Sequence, residues 1–168
     1  MPLSMYQASI PVLVRGLKNL SAVLRKGEAH AGGAALVEAR LAPDMYTLAG
    51  QVQRASDTSK GCAARLAGIA PPSFPDEEKT FADLQARIDK TIAFLQSVKR
   101  EQIDGSEAKP IEFKAGPNTL KFTGESYLLG FVLPNFFFHA TTAYDILRTN
   151  GVPLGKRDFM GRLKMKKG

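Results

Sequence analysis

The sequence predicts an all-α protein, a four-helix bundle with a small β-hairpin inserted between the third and fourth long helices. Three observations predict this fold. Four long segments carry apolar residues at the spacing of one helix face, the apolar period changes to two only within residues 111–122, and the connections are modest. At 168 residues the chain can build a core without disulfides. We assign 1–152 to a single bundle domain and 153–168 to a basic C-terminal tail.

The first predicted helix covers residues 3–29. Its buried face is marked by leucines at helical spacing, Leu13, Leu17, Leu20 and Leu24. Pro11 removes a backbone donor, so the helix either begins near Pro11 or bends there. Gly32 and Gly33 close the segment, and a brief helical piece follows at 34–41.

The second helix is expected to start at Pro43 and Asp44, because proline fits a first helical turn and an acid there complements the helix dipole. It ends at Gly68, since Pro71 and Pro72 follow and cannot continue a helix. Its inner face contains Met45, Leu48, Val52, Ala55, Ser59, Cys62 and Leu66.

The next two elements are a helix and a hairpin. Residues 81–98 form the third helix, with Thr80 as N-cap and Asp83 as a weak capping-box partner. Its core face consists of Phe81, Leu84, Ile88, Ile92 and Leu95. Apolar residues then alternate with polar ones on both sides of 115–118, which predicts a β-hairpin lying on the helices.

The fourth long helix contains the most apolar stretch of the chain, residues 127–148. Thr123 caps this helix, and Gly151 and Pro153 end it. Pro134 lies inside the stretch, so it should kink the helix and free a carbonyl near residue 130.

A helical wheel divides this last helix into two arcs. The first arc contains Leu128, Val132, Asn135, His139, Thr142 and Ile146, and the opposite arc contains Leu129, Leu133, Phe136, Ala140, Tyr144 and Leu147. The bundle core can cover one arc, and the hairpin or a second subunit must cover the other. The surplus apolar surface therefore predicts a homodimer, with coverage by the hairpin as the alternative.

Polar residues inside the bundle mark the place of a site. Asn135 and His139 are one helical turn apart, and Gln51 on the second helix lies nearer its apolar arc than Gln53. Two charged residues of that helix are predicted to be solvated, Asp57 and Lys60. A lone histidine on an apolar face is also typical of a core residue satisfied by its neighbours.

Charge and composition narrow the function classes. The net charge is +7, and most of it comes from the tail, where 153–168 contains six basic residues and one acidic residue. Such a tail is typical of a solubilising end, so nucleic acid is not the expected partner.

Cys62 is the single cysteine, which excludes an intramolecular disulfide or a thiolate zinc cluster. No apolar run or leader pattern predicts membrane insertion or export, so we expect a cytoplasmic protein with no membrane partner.

Several stretches resemble a bacterial family catalogued as a domain of unknown function, within the DinB-like (DinB/YfiT-like) metalloenzyme superfamily. They are SMYQASIPVLVRGL (4–17), ARLAPDMYTLAGQVQRASD (39–57), FTGESYLLGFVLPNFFFHATTAYDILRTNGV (122–152) and GKRDFMG (155–161). The resemblance implies a DinB-like four-helix bundle, often dimeric. It also implies a cleft, where metal-binding members hold a divalent ion with a second-helix histidine and an HxxxH pair of the fourth helix.

Only His139 matches this ligand set. Asn135 stands at the first position of the pair, and Gln51, or alternatively Gln53, stands at the second-helix position. Amides are poor ligands for zinc or nickel. We therefore expect no cofactor, with His139 as the only candidate ligand for zinc, nickel or iron. The predicted cleft residues are Gln51, Asn135, His139 and Thr142.

These observations favour a cytoplasmic DinB-like bundle that has lost most of its metal site and binds a small organic ligand in the cleft. Two alternatives stay open at this point. One is a metal-dependent hydrolase or transferase that uses His139. The other is a nucleic-acid accessory protein that acts through the basic tail.

Overall fold

The computed structural model describes residues 3–163, and the all-α architecture with one hairpin is confirmed. The elements in chain order are α1 (Met5–Glu28), a 3-10 helix (Gly33–Glu38), α2 (Leu48–Ala67), α3 (Phe81–Ser97), α4 (Arg100–Ile103), β1 (Pro110–Ala115), β2 (Asn118–Thr123), α5 (Gly124–Tyr127), a π turn (Leu128–Val132), α6 (Leu133–Thr149) and α7 (Lys156–Met160). The segments α5, π turn and α6 follow one another without a break and form the last long helix.

Helix α1 begins before Pro11 and runs through it. The hydroxyl of Ser4 accepts a hydrogen bond from the Gln7 N–H, and the Gln7 side chain accepts one from the Ser4 N–H, which completes a capping box. Pro11 lies on the exposed side of the helix, where water can bond the carbonyl that proline leaves unpaired. Of the two predicted alternatives, a helix start near Pro11 is therefore wrong.

Helix α2 begins later than predicted. Thr47 is its N-cap, and the Thr47 hydroxyl accepts a hydrogen bond from the Gly50 N–H at 3.1 Å. Arg40 and Thr47 form an isolated antiparallel bridge, so the chain between them turns back on itself. The predicted start at Pro43 and Asp44 is wrong because proline followed by an acid suits a turn as well as a first helical turn.

Other boundaries agree with the sequence. Gly68 ends α2 with a left-handed φ of 72°, as glycine readily does. Thr80 and Asp83 form the predicted capping box of α3. The helical piece expected at 34–41 is the short 3-10 helix.

The hairpin covers the beginning of the last helix, around Tyr127 and Phe131. Strands β1 and β2 pair antiparallel, with Phe113 opposite Leu120. The ring of Phe113 contacts the rings of Tyr127 and Phe131, at centroid distances of 5.6 and 5.2 Å, in edge-on geometry. The Arg65 side chain of α2 donates to the Tyr127 hydroxyl at 2.9 Å. The hairpin is thus fixed by aromatic packing on the bundle.

Helix α1 covers most of the second apolar arc of the last helix. Phe136 and Leu147 are fully buried against α1, where Gly16 and Gly27 allow close approach. A Cβ on Gly16 would overlap the Phe136 ring, and a Cβ on Gly27 would overlap the Leu147 side chain. For these residues, the expectation that the hairpin or a second subunit must cover the arc is wrong, whereas Leu129 of the same arc stays 53% exposed.

A π turn lies directly before Pro134. The N–H of Leu133 donates to the Leu128 carbonyl, five residues back, so the helix is wider there. Both predicted arcs of α6 are largely buried, because the helix packs against α2 on one side and α1 on the other.

Part of the predicted tail is folded. Helix α7 packs on α1, with Lys26 and Asp158 in an ion pair at 2.7 Å and Arg15 donating to the Met160 carbonyl at 2.7 Å. The remaining basic residues of 164–168 lie outside the described residues. Within the described span, no helix combines the length and apolar character needed to cross a membrane.

Candidate functional site

His139 and Gln51 meet between α6 and α2. Nδ1 of His139 lies 2.7 Å from Oε1 of Gln51, and both residues are buried, with 8% and 1% of their surfaces exposed. Gln53 points elsewhere and donates to the Glu78 carboxylate at 2.9 Å. Of the two glutamines that the sequence left open, Gln51 is the one that faces His139.

A second hydrogen bond fixes the orientation of the Gln51 amide. Its Nε2 donates to the backbone carbonyl of Tyr46 at 3.3 Å, which turns Oε1 toward the histidine. An amide oxygen only accepts hydrogen bonds, so Nδ1 of His139 must carry the proton. In the neutral ring, the lone pair is then on Nε2.

His139 is neutral at pH 7. Burial of the ring and, secondarily, the positive charge of Arg54 lower the pKa of His139 to about 4. An uncharged imidazole with a proton on Nδ1 presents Nε2 as a hydrogen-bond acceptor or base.

Nε2 is accessible to solvent beside aromatic rings, and we call this accessible edge of His139 the opening. Within residues 3–163 Nε2 has no hydrogen-bond partner, and it is not sealed from solvent. The rings of Tyr46 and Phe138 lie 6.4 and 5.3 Å from the His139 ring, and each residue is 55% exposed. The Arg54 guanidinium lies over the Tyr46 ring at 5.8 Å. The result is a neutral acceptor beside two accessible aromatic surfaces.

The other two predicted cleft residues have different partners. Asn135 is half-buried and donates to the Thr58 hydroxyl at 2.9 Å, which links α6 to α2 one turn away from His139. Thr142 is buried and donates to the Phe138 carbonyl of its own helix at 2.8 Å. Asn135 is thus a polar neighbour of the His139–Gln51 pair, and Thr142 satisfies the helix backbone.

The side chains around His139 do not fit a bound transition metal. Their donors are one imidazole and the amides of Gln51 and Asn135, whereas zinc and nickel favour imidazole, thiolate and carboxylate. Across residues 3–163, no three His, Cys, Asp or Glu side chains converge to hold an ion. The donor set therefore differs from that of metal-binding DinB-like proteins.

Comparison with known proteins agrees with this scaffold. The family model described as "Domain of unknown function (DUF1993)" matches residues 5–160. The chain belongs to the DUF1993 family. A crystal structure of a DinB family member from Shewanella denitrificans matches with a TM-score of 0.87 and 35% identity, covering 97% of this chain and 95% of that chain. The DUF1993 chain therefore has the DinB-like fold that its sequence suggested. A search of curated proteins gave no match.

The DUF1993 protein also contains a group of ion pairs that sequence reasoning missed. We call it the charge cluster: Arg54, Asp57 and Lys60 of α2, Arg87 of α3, and Asp76 and Glu78 of the segment between these helices. Arg87 contacts Asp57, Asp76 and Glu78, each at 2.9 Å. The predicted solvation of Lys60 is wrong, because its side chain is only 7% exposed and pairs with Asp57 at 2.9 Å.

Two sequence signals could have indicated this cluster. Arg54, Asp57 and Lys60 recur every three residues, which places them on one face of α2. The acidic run at 76–78 follows the same helix within reach of that face. Arg87 gave no comparable signal, because its position on α3 is compatible either with the edge of the apolar face or with exposure to solvent.

Proposed function

We propose that this DUF1993 protein is a metal-independent DinB-like bundle that binds a small organic molecule at His139. The observation that carries the proposal is the 2.7 Å contact between Nδ1 of His139 and Oε1 of Gln51, with the amide held by the Tyr46 carbonyl. This arrangement places the proton on Nδ1 and leaves the lone pair on Nε2, while burial and the Arg54 charge keep the imidazole neutral.

The surroundings of His139 support a ligand with an aromatic ring and one hydrogen-bond donor. Nε2 offers an acceptor, and exposed rings of Tyr46 and Phe138 offer apolar surface for stacking or edge contacts. Phenol is the simplest molecule with both features. Anisole has a similar shape but no donor, so it serves as the matched control.

Metal content tests the first part of the proposal. Protein purified without a histidine tag and dialysed against chelator-free buffer should contain far less than one zinc, nickel or iron per chain, because amides replace the imidazole ligands. Elemental analysis by mass spectrometry measures this directly. One retained ion per chain would contradict the proposal.

Ligand binding tests the second part. In a nitrogen-15 NMR titration, phenol should shift the Nε2 resonance of His139, whereas anisole should leave it in place. The variant His139→Gln should lose the preference for phenol over anisole. Equal responses to both molecules would mean that the opening does not recognise a donor.

We also propose that the protein acts in the cytoplasm as a homodimer. A single reduced cysteine suits a reducing compartment. Apart from Phe138, which lies beside His139, two large apolar residues of the last helix remain exposed, namely Leu129 and Phe137, with 53% and 38% of their surfaces exposed. We call these two residues the outer patch, and a second copy of the chain would bury it.

A further inference from the structure

The charge cluster holds down a segment that contributes little to the core. No residue of 69–80 is buried, and we call this segment the strap. Its largest apolar residue, Phe74, lies over the Lys60 ammonium at 4.2 Å. Lys60 also donates to the Pro72 carbonyl at 3.2 Å, and Arg87 donates to the Pro75 carbonyl at 3.1 Å. Polar and cationic contacts, rather than apolar burial, therefore attach the strap.

The cations of the cluster belong to the rigid bundle, and two of the three carboxylates belong to the strap. The side chains of Lys60 and Arg87 are 7% and 1% exposed, so they require counter-charges nearby. Asp57 is the only carboxylate that the helices themselves supply to this cluster. Without the strap, the groove between α2 and α3 would present three cations and one anion.

Two donors in this groove have no acceptor. The Nε–H groups of Arg54 and Arg87 are sealed from solvent and lack a hydrogen-bond partner within residues 3–163. Asp57, Asp76 and Glu78 reach these guanidinium groups only through the terminal nitrogens. Arginine binds phosphate and carboxylate best through paired donors. The carboxylates of the strap therefore leave the Nε–H donors of both arginines without an acceptor.

We propose that Arg54, Lys60 and Arg87 form a binding site for a small molecule carrying several phosphate or carboxylate groups. In the structure, Asp76 and Glu78 occupy this site as an internal competitor. The incoming oxyanion replaces these carboxylates and uses the Nε–H donors that they leave unpaired. The strap then moves off the groove. The argument for this site does not rest on the ligand proposed for His139, although the two sites are neighbours, since Arg54 also lies over the Tyr46 ring beside His139.

Calorimetric titration with pyrophosphate tests the proposal. The double variant Asp76→Asn/Glu78→Gln should bind pyrophosphate at least about tenfold more tightly than the wild type, because the internal competitor is gone. Glu77→Gln removes a neighbouring exposed charge outside the cluster and should bind like the wild type. Adding Arg87→Gln to the double variant should abolish binding. Equal affinities in wild type and double variant, or binding that survives Arg87→Gln, would overturn the proposal.

A measurement on the wild-type chain covers the case in which the double variant does not fold. The Phe74 ring should shift the ε-proton NMR signals of Lys60 upfield, because the ammonium lies over the ring. Millimolar pyrophosphate should remove this shift, whereas sodium chloride at the same ionic strength should preserve it, since chloride screens but does not bridge the cations. The same titration with citrate in place of pyrophosphate shows whether carboxylate groups also remove the shift. Persistence of the shift with both oxyanions would overturn the proposal.

Discussion

At His139, burial and charge set the protonation state, whereas Gln51 sets the tautomer. Burial of the ring and the positive charge of Arg54 lower the pKa of His139. The Gln51 oxygen accepts a hydrogen bond from Nδ1–H and brings no negative charge that would stabilise an imidazolium. A carboxylate at this position would raise the pKa of the ring, and an imidazole would supply a metal ligand instead.

The depressed pKa of His139 predicts a loss of stability in mild acid. The folded-state pKa is about 4 and the unfolded value is about 6.5, so the unfolded chain binds more protons between these values. The free energy of unfolding should therefore fall as the pH drops through this window. The expected contribution from His139 is about 2–3 kcal/mol between pH 7 and 4.5.

Urea denaturation of wild type and His139→Gln at both pH values isolates this contribution. The variant lacks the titrating ring, so it should lose less stability on acidification than the wild type by about 2–3 kcal/mol. Equal pH dependence in the two proteins would show that His139 is not protonated differently on unfolding.

The residues of the candidate site could be proposed from sequence because they follow local helical spacing. Asn135 and His139 are one turn apart, and Gln51 lies nearer the apolar arc than Gln53. The orientation of the Gln51 amide could not be predicted in this way. It depends on the Tyr46 carbonyl, whose position is set by a turn before α2 rather than by helix periodicity.

At the scale of the helix, the main error in the predicted packing is the identity of the element that covers the second arc. A wheel of one helix shows that a second apolar face exists, but it does not show which neighbour covers that face. Two glycines of α1 admit Phe136 and Leu147 of α6. The sequence shows those glycines, but their role appears only when the facing side chains are known.

This close approach predicts that a substitution of Gly16 destabilises the protein, whereas the same substitution at an open position of the last helix does not. Gly16→Ala should destabilise the protein by about 1–2 kcal/mol, because overlap with the Phe136 ring outweighs the higher helix propensity of alanine. Gly130→Ala is the control, since no atom lies within 4 Å of its Cβ position. Thermal unfolding followed by circular dichroism compares the two variants. A stabilised Gly16→Ala protein would contradict tight packing of α1 on α6.

The connection between α2 and α3 shows a different limit of sequence reasoning. Its proline and acidic residues predict an irregular segment, and the segment is irregular. The partners of those acidic residues come from two helices, including Arg87 of the next element. The α2 members of the charge cluster share a three-residue spacing, but ion pairs between separate elements leave no periodic signal, so their pairing emerges only from tertiary structure.

At the scale of the molecule, the basic C-terminal region and the exposed apolar side chains of the last helix belong to different elements. Helix α7 brings part of the basic C-terminal region onto α1 through Lys26, Arg15 and Asn19. The outer patch of Leu129 and Phe137 lies on the last helix. Single exposed apolar residues are common, but two large ones on the same helix favour a partner surface.

If the outer patch forms a homodimer contact, sedimentation velocity at micromolar concentration should give a dimer. Leu129→Glu should convert it to a monomer, because the substitution places a charge in an apolar contact without touching the His139 opening. Leu3→Glu is the control, since Leu3 is 75% exposed and lies outside the last helix. Circular dichroism should show that both variants keep their helical content. A monomeric wild-type protein, or a Leu129→Glu variant that remains dimeric, would contradict a dimer through this patch.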